Sequence, residues 1–272
     1  MAWCTEAVPN LPHREQTNEY GLPGYGASSY GDAFADIYDE WYESLDDADF
    51  VRFMTTHLDT YCAQRDALIL ELGVGTGRLL AQLITARLQK DSLVGVDSSA
   101  AMLAALSKRG LPSRVSTMCC DMSRDLPPGS FDLVFIGYNT IFNLPSEQSL
   151  SACLSLVASR IQPDGFLIID AVVPNDADGD NVSVRSITTD SVVLSISSHN
   201  KASQHISGQF IEFSKTDGVR LRPWVLTYWT PSQLDTIATV AGLELMDRYA
   251  TGDGQPFTSD SPRHISRYRT SR

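Results

Sequence analysis

Short apolar runs alternate with amphipathic stretches along the middle of the chain. Five apolar runs have the length of buried strands, at residues 67–70, 93–96, 114–118, 133–136 and 166–173. Apolar positions at helical spacing mark the stretches between them, at residues 78–88, 100–108 and 149–160. Because strands that alternate with helices favour parallel pairing, this pattern predicts an α/β fold with a doubly wound, mostly parallel sheet.

The pattern is different before this region. Residues 1–28 are rich in Pro, Gly, Asn and Ser without sustained periodicity, which predicts an irregular N-terminal arm. From Ser29 onward, aromatic residues recur on one broad face of a predicted helix, while acidic residues occupy the rest of its surface. A second helix is expected at residues 48–63, because acidic residues favour a helix N-terminal turn.

Alternation of apolar and polar residues replaces the helical pattern after Pro174. This alternation predicts an antiparallel β insert at residues 174–229, with strands at residues 182–189, 191–197, 205–214 and 219–228. A helix at residues 232–241 and two strands at residues 243–250 and 263–269 close the chain.

The glycine cluster after the first apolar run carries the first chemical information. Gly73, Gly75 and Gly77 lie between a strand and a helix, and the second strand ends in Asp97. A dinucleotide fingerprint requires a glycine at the sixth place, where this chain has Arg78. Glu71, just before the cluster, would repel a pyrophosphate but attract an ammonium group. The unit therefore predicts a site for an adenosine-like ligand that carries an amine.

These residues closely resemble motifs of class I S-adenosylmethionine-dependent methyltransferases. Glu71-Leu-Gly-Val-Gly-Thr-Gly77 matches motif I, and Val94-Gly-Val-Asp97-Ser98 matches the following motif. The resemblance implies that the glycine turn holds the methionine part and that Asp97 binds both ribose hydroxyls. It also assigns Asp121 to the adenine amino group and Met122 to the base. The cofactor residues expected on this basis are Tyr30, Tyr38, Glu71, Gly73, Val74, Gly75, Thr76, Gly77, Arg78, Asp97, Ser98, Met102, Asp121, Met122 and Gly137.

The same resemblance implies the complete architecture. We expect a Rossmann-like, seven-stranded sheet whose last strand is antiparallel, formed by residues 29–173 and 230–272 and preceded by a lid helix. In such enzymes an aromatic residue of the lid covers the cofactor. The insert at residues 174–229 is expected to cover the acceptor or to pair subunits. A homodimer formed through the insert is therefore one of the two alternatives.

The segment after the fourth strand should border the transferred methyl group, because ligands bind at the carboxyl ends of the strands. It offers Tyr138, Asn139 and Asn143 as positioning groups, and none of them is a good base at neutral pH. This favours a nitrogen acceptor, which needs only to arrive deprotonated. Metal is not required for such a displacement. The residues expected to contact the substrate are Tyr38, Tyr42, Tyr138, Asn143, His205 and Tyr228.

The lid, the insert and Tyr228-Trp229-Thr230-Pro231 look like those of amino-sugar N-methyltransferases of antibiotic biosynthesis. Where some of those enzymes have a histidine after the fourth strand, this chain has Asn143, which argues against a base-assisted mechanism copied from them. An amino-deoxysugar nucleotide is the expected acceptor, and O-methylation of a sugar or phenol is the alternative, with His205 as its base. A catalytically silent methyltransferase-like subunit and a nicotinamide-dependent oxidoreductase are the other classes considered.

Composition narrows the set of partners. The net charge of -12 and a pI near 4.7 oppose attraction to nucleic acid or anionic lipid. The five cysteines show neither metal-ligand spacing nor a disulfide framework, so no metal is expected. No apolar stretch has the length of a membrane span, and the N-terminus lacks the features of a signal peptide. The sequence therefore predicts a cytoplasmic enzyme that acts on small molecules.

Overall fold

The computed structural model describes residues 18–63, 65–87 and 91–271. Within them, the helices are α1 Ser29–Phe34, α2 Tyr38–Tyr42, α3 Ala48–Tyr61, α4 Arg78–Ala86, α5 Ala100–Ser107, α6 Glu147–Ala158 and α7 Pro231–Val240, and a 3₁₀ helix spans Thr140–Asn143. The strands are β1 Leu68–Leu72, β2 Ser92–Asp97, β3 Val115–Cys119, β4 Phe131–Ile136, β5 Ile161–Val172, β6 Gly179–Ile187, β7 Ser191–Asn200, β8 His205–Ser214, β9 Gly218–Thr227, β10 Leu243–Tyr249 and β11 Arg263–Thr270. The first 17 residues of the predicted arm lie outside the described residues.

The large sheet has the predicted seven strands, in the order β10-β11-β5-β4-β1-β2-β3. Strands β1 to β5 pair in parallel, and β11 is antiparallel to both β5 and β10. At its centre, Leu70 is paired with Val94 on one side and with Val134 on the other. These strands are continuous apolar runs because helices cover both faces of the sheet.

Two hydrophobic clusters fill the spaces between sheet and helices. One packs α3 and α4 against the sheet and includes Phe50 and Leu80, and the other packs α6 and α7 and includes Leu154 and Leu234. Helix α7 begins after a capping box at Thr230, with Pro231 in its first turn. No helix among the described residues is long and apolar enough to cross a membrane.

The predicted lid helix is interrupted, which corrects the sequence prediction. Helix α1 ends at Phe34 and α2 begins at Tyr38, because Ile37 leaves the helical region at φ -125° and ψ -6°. The break places Phe34 and Trp41 around one side chain of the insert, Phe210, with ring centroids 5.9 and 5.2 Å away. Aromatic packing between distant segments has therefore replaced a continuous helix.

The fifth strand begins before the apolar run at residues 166–173 that predicts it. Residues 162–165 belong to β5 as an irregularity: Ile161 is paired with Phe131, and regular pairing with β4 resumes at Phe166. A Cβ on Gly165 would lie 2.7 Å from the Phe131 carbonyl oxygen. Glycine at this place allows the strand to pass close to its neighbour.

The insert forms a separate antiparallel sheet in the order β6-β7-β8-β9, as its alternating pattern predicts. One face of this sheet covers the lid. Phe210 packs on the lid aromatics, and Arg222 donates to Asp36 Oδ1 at 2.5 Å. Helices α1 and α2 are thus held between the insert sheet and the ends of the large sheet.

Candidate active site

A cleft opens at the carboxyl ends of β1 to β4, where α/β proteins bind ligands. Together with its open mouth it contains about 710 Å³ of space outside protein atoms. Ten of the residues predicted to contact cofactor or substrate meet there. The lining consists of Tyr20, Ala27, Tyr30, Gly31, Tyr38, Gly73, Gly75, Val96, Asp97, Ser98, Met102, Cys120, Asp121, Met122, Thr140, Asn143 and Leu144.

The turn after β1 presents backbone to this cleft. Gly73, Gly75 and Gly77 have φ values of +72°, +55° and +82°, which glycine adopts without strain. The Gly73 N–H donates to the Val96 carbonyl at 2.8 Å, which fastens the turn to β2. A Cβ on Gly73 would lie only 2.2 Å from Thr140 Cγ2, so the absence of a side chain also lets the 3₁₀ helix approach.

Other predicted cofactor residues of this turn do not line the cleft. Val74 is buried in the cluster beneath α4, and the Thr76 hydroxyl donates to Asp39 Oδ1 at 2.5 Å. A Cβ on Gly77 would lie 2.1 Å from Leu106 Cδ1. The structure therefore places these residues behind the turn, where they fix its shape.

Asp97, at the end of β2, is held through both carboxylate oxygens. Oδ2 accepts a hydrogen bond from the Gly75 N–H and Oδ1 one from the Ser99 N–H, each at 2.8 Å. Burial raises the pKa of Asp97, and the two backbone hydrogen bonds oppose that rise. The carboxylate lines the cleft beside Ser98 and Met102, with lone pairs left for a vicinal diol.

Glu71 lies beneath the glycine turn with only 4% of its surface exposed. Its Oε2 atom is buried and has no hydrogen-bond partner within the described chain. Burial raises the pKa of Glu71 well above its ordinary value, which the nearby Arg78 guanidinium partly offsets and the Asp97 and Asp47 carboxylates reinforce. A buried carboxylate oxygen without a partner is costly, and a ligand ammonium group would remove that cost.

Arg78 and Tyr138 do not line the cleft, and this corrects their predicted positions. Both donate hydrogen bonds to the buried carboxylate of Asp47, and the Arg78 guanidinium carbon lies 4.2 Å from the centroid of the Tyr138 ring. Gln82 Nε2 donates to the same carboxylate at 2.7 Å. One face of Tyr138 is thus already covered by a cation, so it is a poor candidate for contact with a sulfonium.

Two tyrosines of the lid reach the cleft and a third does not. Tyr30 and Tyr38 line it, whereas Tyr42 lies outside and contacts the Tyr30 hydroxyl at 3.3 Å. Helix α1 closely approaches the start of α5, since a Cβ on Gly31 would lie 2.4 Å from Cβ of Ser99, the N-cap residue of α5. Burial raises the pKa of Tyr30 well above its ordinary value and that of Tyr38 to about 12, so both keep their protons at neutral pH.

The segment after β3 forms the opposite end of the cleft. Asp121 accepts hydrogen bonds from the Ser123 N–H at 2.9 Å and hydroxyl at 2.7 Å, both at Oδ1. Its other oxygen lies 3.3 Å from Arg124 Nε. Met122 and the neighbouring Cys120 also line the cleft. The two residues predicted to hold the adenine therefore lie on the same wall of the cleft.

The residues after β4 differ in whether they line the cleft, and the sequence alone does not show which of them do. Asn139 is in the left-handed region at φ +63°, and its Oδ1 accepts from the Val172 N–H at 2.7 Å, so it joins two strand ends instead of lining the cleft. Gly137 packs against Leu79, which corrects its predicted place at the cofactor. Asn143 does line the cleft. Its Nδ2 donates to the Thr140 carbonyl at 3.3 Å, while its buried Oδ1 has no partner among the described residues.

Two predicted substrate residues of the insert lie elsewhere. Tyr228 is 6% exposed in the core cluster beneath α6, and its hydroxyl is 2.9 Å from His199 Nε2. His205 Nε2 lies 2.9 Å from the Tyr20 carbonyl oxygen. Because a carbonyl oxygen only accepts, this nitrogen carries the proton and is not free to act as a base.

The Tyr20 contact reveals a feature that the sequence prediction missed. Residues 18–28, here called the strap, cross the cleft, and the Tyr20 side chain is one of its walls. Tyr20 and Tyr25 pack on Val225 of the insert, and Ser98 Oγ donates to the Ala27 carbonyl at 2.7 Å. The available signal was two tyrosines in a segment otherwise rich in turn formers. Thr140 and Leu144 were missed because nothing in the polar segment distinguishes them from their neighbours.

The fold and the cleft together define a class of protein. A Rossmann-like sheet places a glycine turn and the Asp97 carboxylate in the lining of one cleft, and the buried Glu71 carboxyl, whose Oε2 has no hydrogen-bond partner among the described residues, lies beneath that turn. This combination suits a nucleoside that carries an amino acid, and it lacks the sixth-place glycine that a dinucleotide needs.

Comparisons with known proteins identify the family within that class. A family model described as a methyltransferase domain matches residues 69–165. The CcbJ methyltransferase from Streptomyces caelestis is 31% identical, with 91% of this chain and 100% of that chain covered at a TM-score of 0.79. The chain therefore belongs to the S-adenosylmethionine-dependent methyltransferases.

Two further relatives are informative. The cypemycin N-terminal methyltransferase of a Streptomyces species is 28% identical over 198 residues, which are 71% of this chain and 79% of that protein. The sugar N-methyltransferase KedS8 from Streptoalloteichus sp. ATCC 53650 is 21% identical, with 92% of this chain and 99% of that chain covered at a TM-score of 0.65. The likeness to KedS8 shows the shared fold.

Proposed function

We propose that this methyltransferase transfers a methyl group to the nitrogen of a small-molecule amine in natural-product biosynthesis, with an amino-deoxysugar nucleotide as the acceptor to test first. The observation that carries the choice of nitrogen is that the buried Oδ1 of Asn143, in the cleft wall, has no hydrogen-bond partner in the part of the chain that the structure describes. An amide oxygen accepts a hydrogen bond from the N–H of an amine and so orients its lone pair.

The cofactor end of the cleft fits S-adenosylmethionine. Glu71 Oε2 would accept from the ammonium group, and Asp97 would hold the ribose. Met122 and Tyr20 would flank the base, because both line the same end of the cleft as Asp121. Bound there, the cofactor would supply an electrophilic methyl group on a sulfonium. The rings of Tyr30 and Tyr38 line the cleft and would stabilise the sulfonium charge by cation–π contact.

The acceptor end supports nitrogen over oxygen. A hydroxyl acceptor profits from a general base whose pKa lies near the operating pH. Tyr30 and Tyr38 do not meet this need, because burial raises the pKa of both phenols. Asn143 cannot accept a proton at neutral pH, and no histidine is found among the described residues that line the cleft. An amine that arrives neutral needs only orientation and exclusion of water.

The names of the relatives agree with this choice. The cypemycin enzyme is named for methylation at an N-terminus, which is also a nitrogen acceptor. An N-terminus belongs to a peptide and not to a sugar. The name of this relative therefore supports an amine as the methylated group, and it does not support an aminosugar as the acceptor.

The first test is a screen of aminosugar nucleotides and matched sugars or phenols without the amine. We expect S-adenosylhomocysteine to form only with amine acceptors, with the new methyl group on nitrogen by mass spectrometry of the product. Methylation confined to oxygen would refute the proposal.

The second test changes Asn143 to Ala. Loss of one hydrogen bond to the acceptor should lower kcat/KM for the amine by about 5- to 150-fold, corresponding to about 1–3 kcal/mol, and leave S-adenosylhomocysteine affinity unchanged. Asn181→Ala is the matched control, since Asn181 is exposed and outside the cleft lining. An equal loss in both variants, or none in Asn143→Ala, would contradict the proposed role of Asn143.

A further inference from the structure

Each helix of the lid carries an aspartate that accepts a hydrogen bond from the body of the protein. Asp32 of α1 accepts from the Ser99 hydroxyl at 2.6 Å, and Asp39 of α2 accepts from the Thr76 hydroxyl at 2.5 Å. Ser99 and Thr76 are both buried, with 0% and 1% of their surface exposed. The two hydroxyls are therefore fixed points to which the two lid helices are attached.

Arg109 completes the attachment of α2. Its Nη2 donates to Asp39 Oδ2 at 2.5 Å, and its Nε donates to the Thr76 carbonyl at 2.6 Å. Asp39, Thr76 and Arg109 thus form a closed ring of three hydrogen bonds, called here the latch. Thr76 and Arg109 lie 37 and 70 positions from Asp39 in the chain, so no local sequence pattern indicates this contact.

The two attachment points are also the segments that hold Asp97. Its carboxylate oxygens accept hydrogen bonds from the Gly75 N–H and the Ser99 N–H, each at 2.8 Å. Thr76 follows Gly75 directly, and Ser99 supplies both the N–H to Asp97 and the hydroxyl to Asp32. A movement of the lid would therefore act on the same short segments that hold the Asp97 carboxylate in the cleft wall.

Helix α2 depends on contacts outside itself. A helix of five residues is not stable alone, and α2 has neither a side-chain cap nor a buried residue. On one side its Trp41 ring packs on Phe210 of the insert, with the centroids 5.2 Å apart. Asp39 is two positions from Trp41, which is about 200° around the helix axis. The latch therefore supports the side of α2 that the insert does not.

Tyr38 connects the latch to the cleft. It precedes Asp39 in α2, and its side chain lines the cleft. Burial raises the pKa of Tyr38 to about 12, while Arg78 opposes the rise and Glu71 adds to it, so the phenol lies close to both of these groups. Release of the latch would let α2 move and would take Tyr38 away from the cleft wall.

We propose that Asp32 and Asp39 are positioning residues that keep the lid closed over a bound cofactor, with Arg109 as the partner that holds Asp39. Neither aspartate is among the described residues that line the cleft, so both act through the residues that they hold. The side chains of Asp39 and Arg109 are 54% and 36% exposed, and an ion pair in contact with water is weak enough to open whenever cofactor enters or leaves. The proposal concerns the cofactor and holds for a nitrogen or an oxygen acceptor.

The test measures dissociation of S-adenosylhomocysteine from the full chain by stopped-flow displacement. Asp39→Ala should raise the dissociation rate by about two- to tenfold, the effect of one hydrogen bond, because an unlatched lid opens more often. Asp32→Ala should raise it within the same range. Glu40→Ala is the matched control and should leave the rate unchanged, since Glu40 is the next carboxylate of α2 and is exposed.

Substitutions of Thr76 distinguish positioning from a merely structural role. Thr76→Val removes the hydroxyl at nearly constant volume and should speed dissociation, whereas Thr76→Ser keeps the hydroxyl and should dissociate as wild type does. The double variant Asp39→Ala/Thr76→Val should dissociate no faster than Asp39→Ala alone, because both changes break the same hydrogen bond.

An unchanged dissociation rate in either aspartate variant would overturn the proposal, even if urea unfolding showed a loss of stability, because the role would then be structural only. Equal acceleration in Glu40→Ala would also overturn it. So would additive effects in the double variant, or a Thr76→Ser variant as fast as Thr76→Val.

Discussion

Replacing Glu71 with glutamine should weaken cofactor binding in a manner that depends on pH. In the ligand-free protein, burial raises the pKa of Glu71 well above its ordinary value, so the carboxyl holds its proton into a higher pH range. An ammonium group placed beside Oε2 would stabilise the ionised form and lower that pKa. Binding should therefore release a proton at a pH where free Glu71 is protonated, whereas the Glu71→Gln variant has no such proton to release.

The magnitude follows from the burial of this carboxylate. A hydrogen bond to a charged group contributes about 1.5–3 kcal/mol, so Glu71→Gln should raise the dissociation constant for S-adenosylhomocysteine by about 10- to 150-fold at high pH. The ratio between the two proteins should shrink as pH falls through the raised pKa of Glu71, because both side chains are then neutral. S-adenosylhomocysteine serves because it keeps the ammonium group and does not react.

The same substitution should change the stability of the ligand-free enzyme in the opposite direction. The folded protein holds the Glu71 proton more tightly than the unfolded chain does, so wild type loses stability as pH rises through the raised pKa. The Glu71→Gln variant lacks that loss because its amide does not ionise. Urea unfolding should therefore find the variant more stable than wild type at high pH and similar at low pH.

Isothermal titration between about pH 5.5 and 9, in buffers of different ionisation enthalpy, measures affinity and proton release together. Glu147→Gln, at an exposed position in the first turn of α6, is the control and should leave both unchanged. A ratio of dissociation constants that stays constant over this range, or equal affinity of wild type and Glu71→Gln, would refute the assignment of Glu71 to the ammonium group.

Two further substitutions test the strap and the glycine turn. His205→Ala should speed dissociation of S-adenosylhomocysteine in stopped-flow displacement by about two- to tenfold, because one hydrogen bond that fastens the strap is lost. The control His199→Ala, on the neighbouring strand, should leave the dissociation rate unchanged. Equal dissociation rates in both variants would count against the strap as a barrier to exit. Gly73→Ala should lower the free energy of unfolding by about 2–4 kcal/mol, since it adds a collision with the 3₁₀ helix to the strain of a positive φ. Gly179→Ala, at φ +88° in open space, should cost only about 1 kcal/mol, and similar losses for the two would show that the collision is relieved at no cost.

The part of the cleft that surrounds the glycine turn could be predicted from sequence because it depends on local geometry. The glycine turn, Asp97 and Met102 lie within one strand-turn-helix-strand unit and its next helix, where the backbone path follows from residue type. The acceptor end is different. Asn139 and Asn143 looked equivalent in a polar run, but a left-handed backbone at Asn139 turns its side chain to β5 and leaves Asn143 in the cleft wall.

The amino-acid sequence by itself determined the strands, most of the helices and the antiparallel insert through hydrophobic periodicity, and the motif of the methyl donor through residue identity. Each of these features depends on neighbours a few residues away. Tertiary structure decided where the lid breaks, that His205 fastens the strap to the insert, and which face of the insert sheet packs on the lid. Those features rest on contacts between segments far apart in the chain, such as the hydrogen bond that joins His205 to a residue 185 positions away. Alternation along a strand shows that one face is apolar, but only packing determines whether that face meets the rest of the chain or solvent.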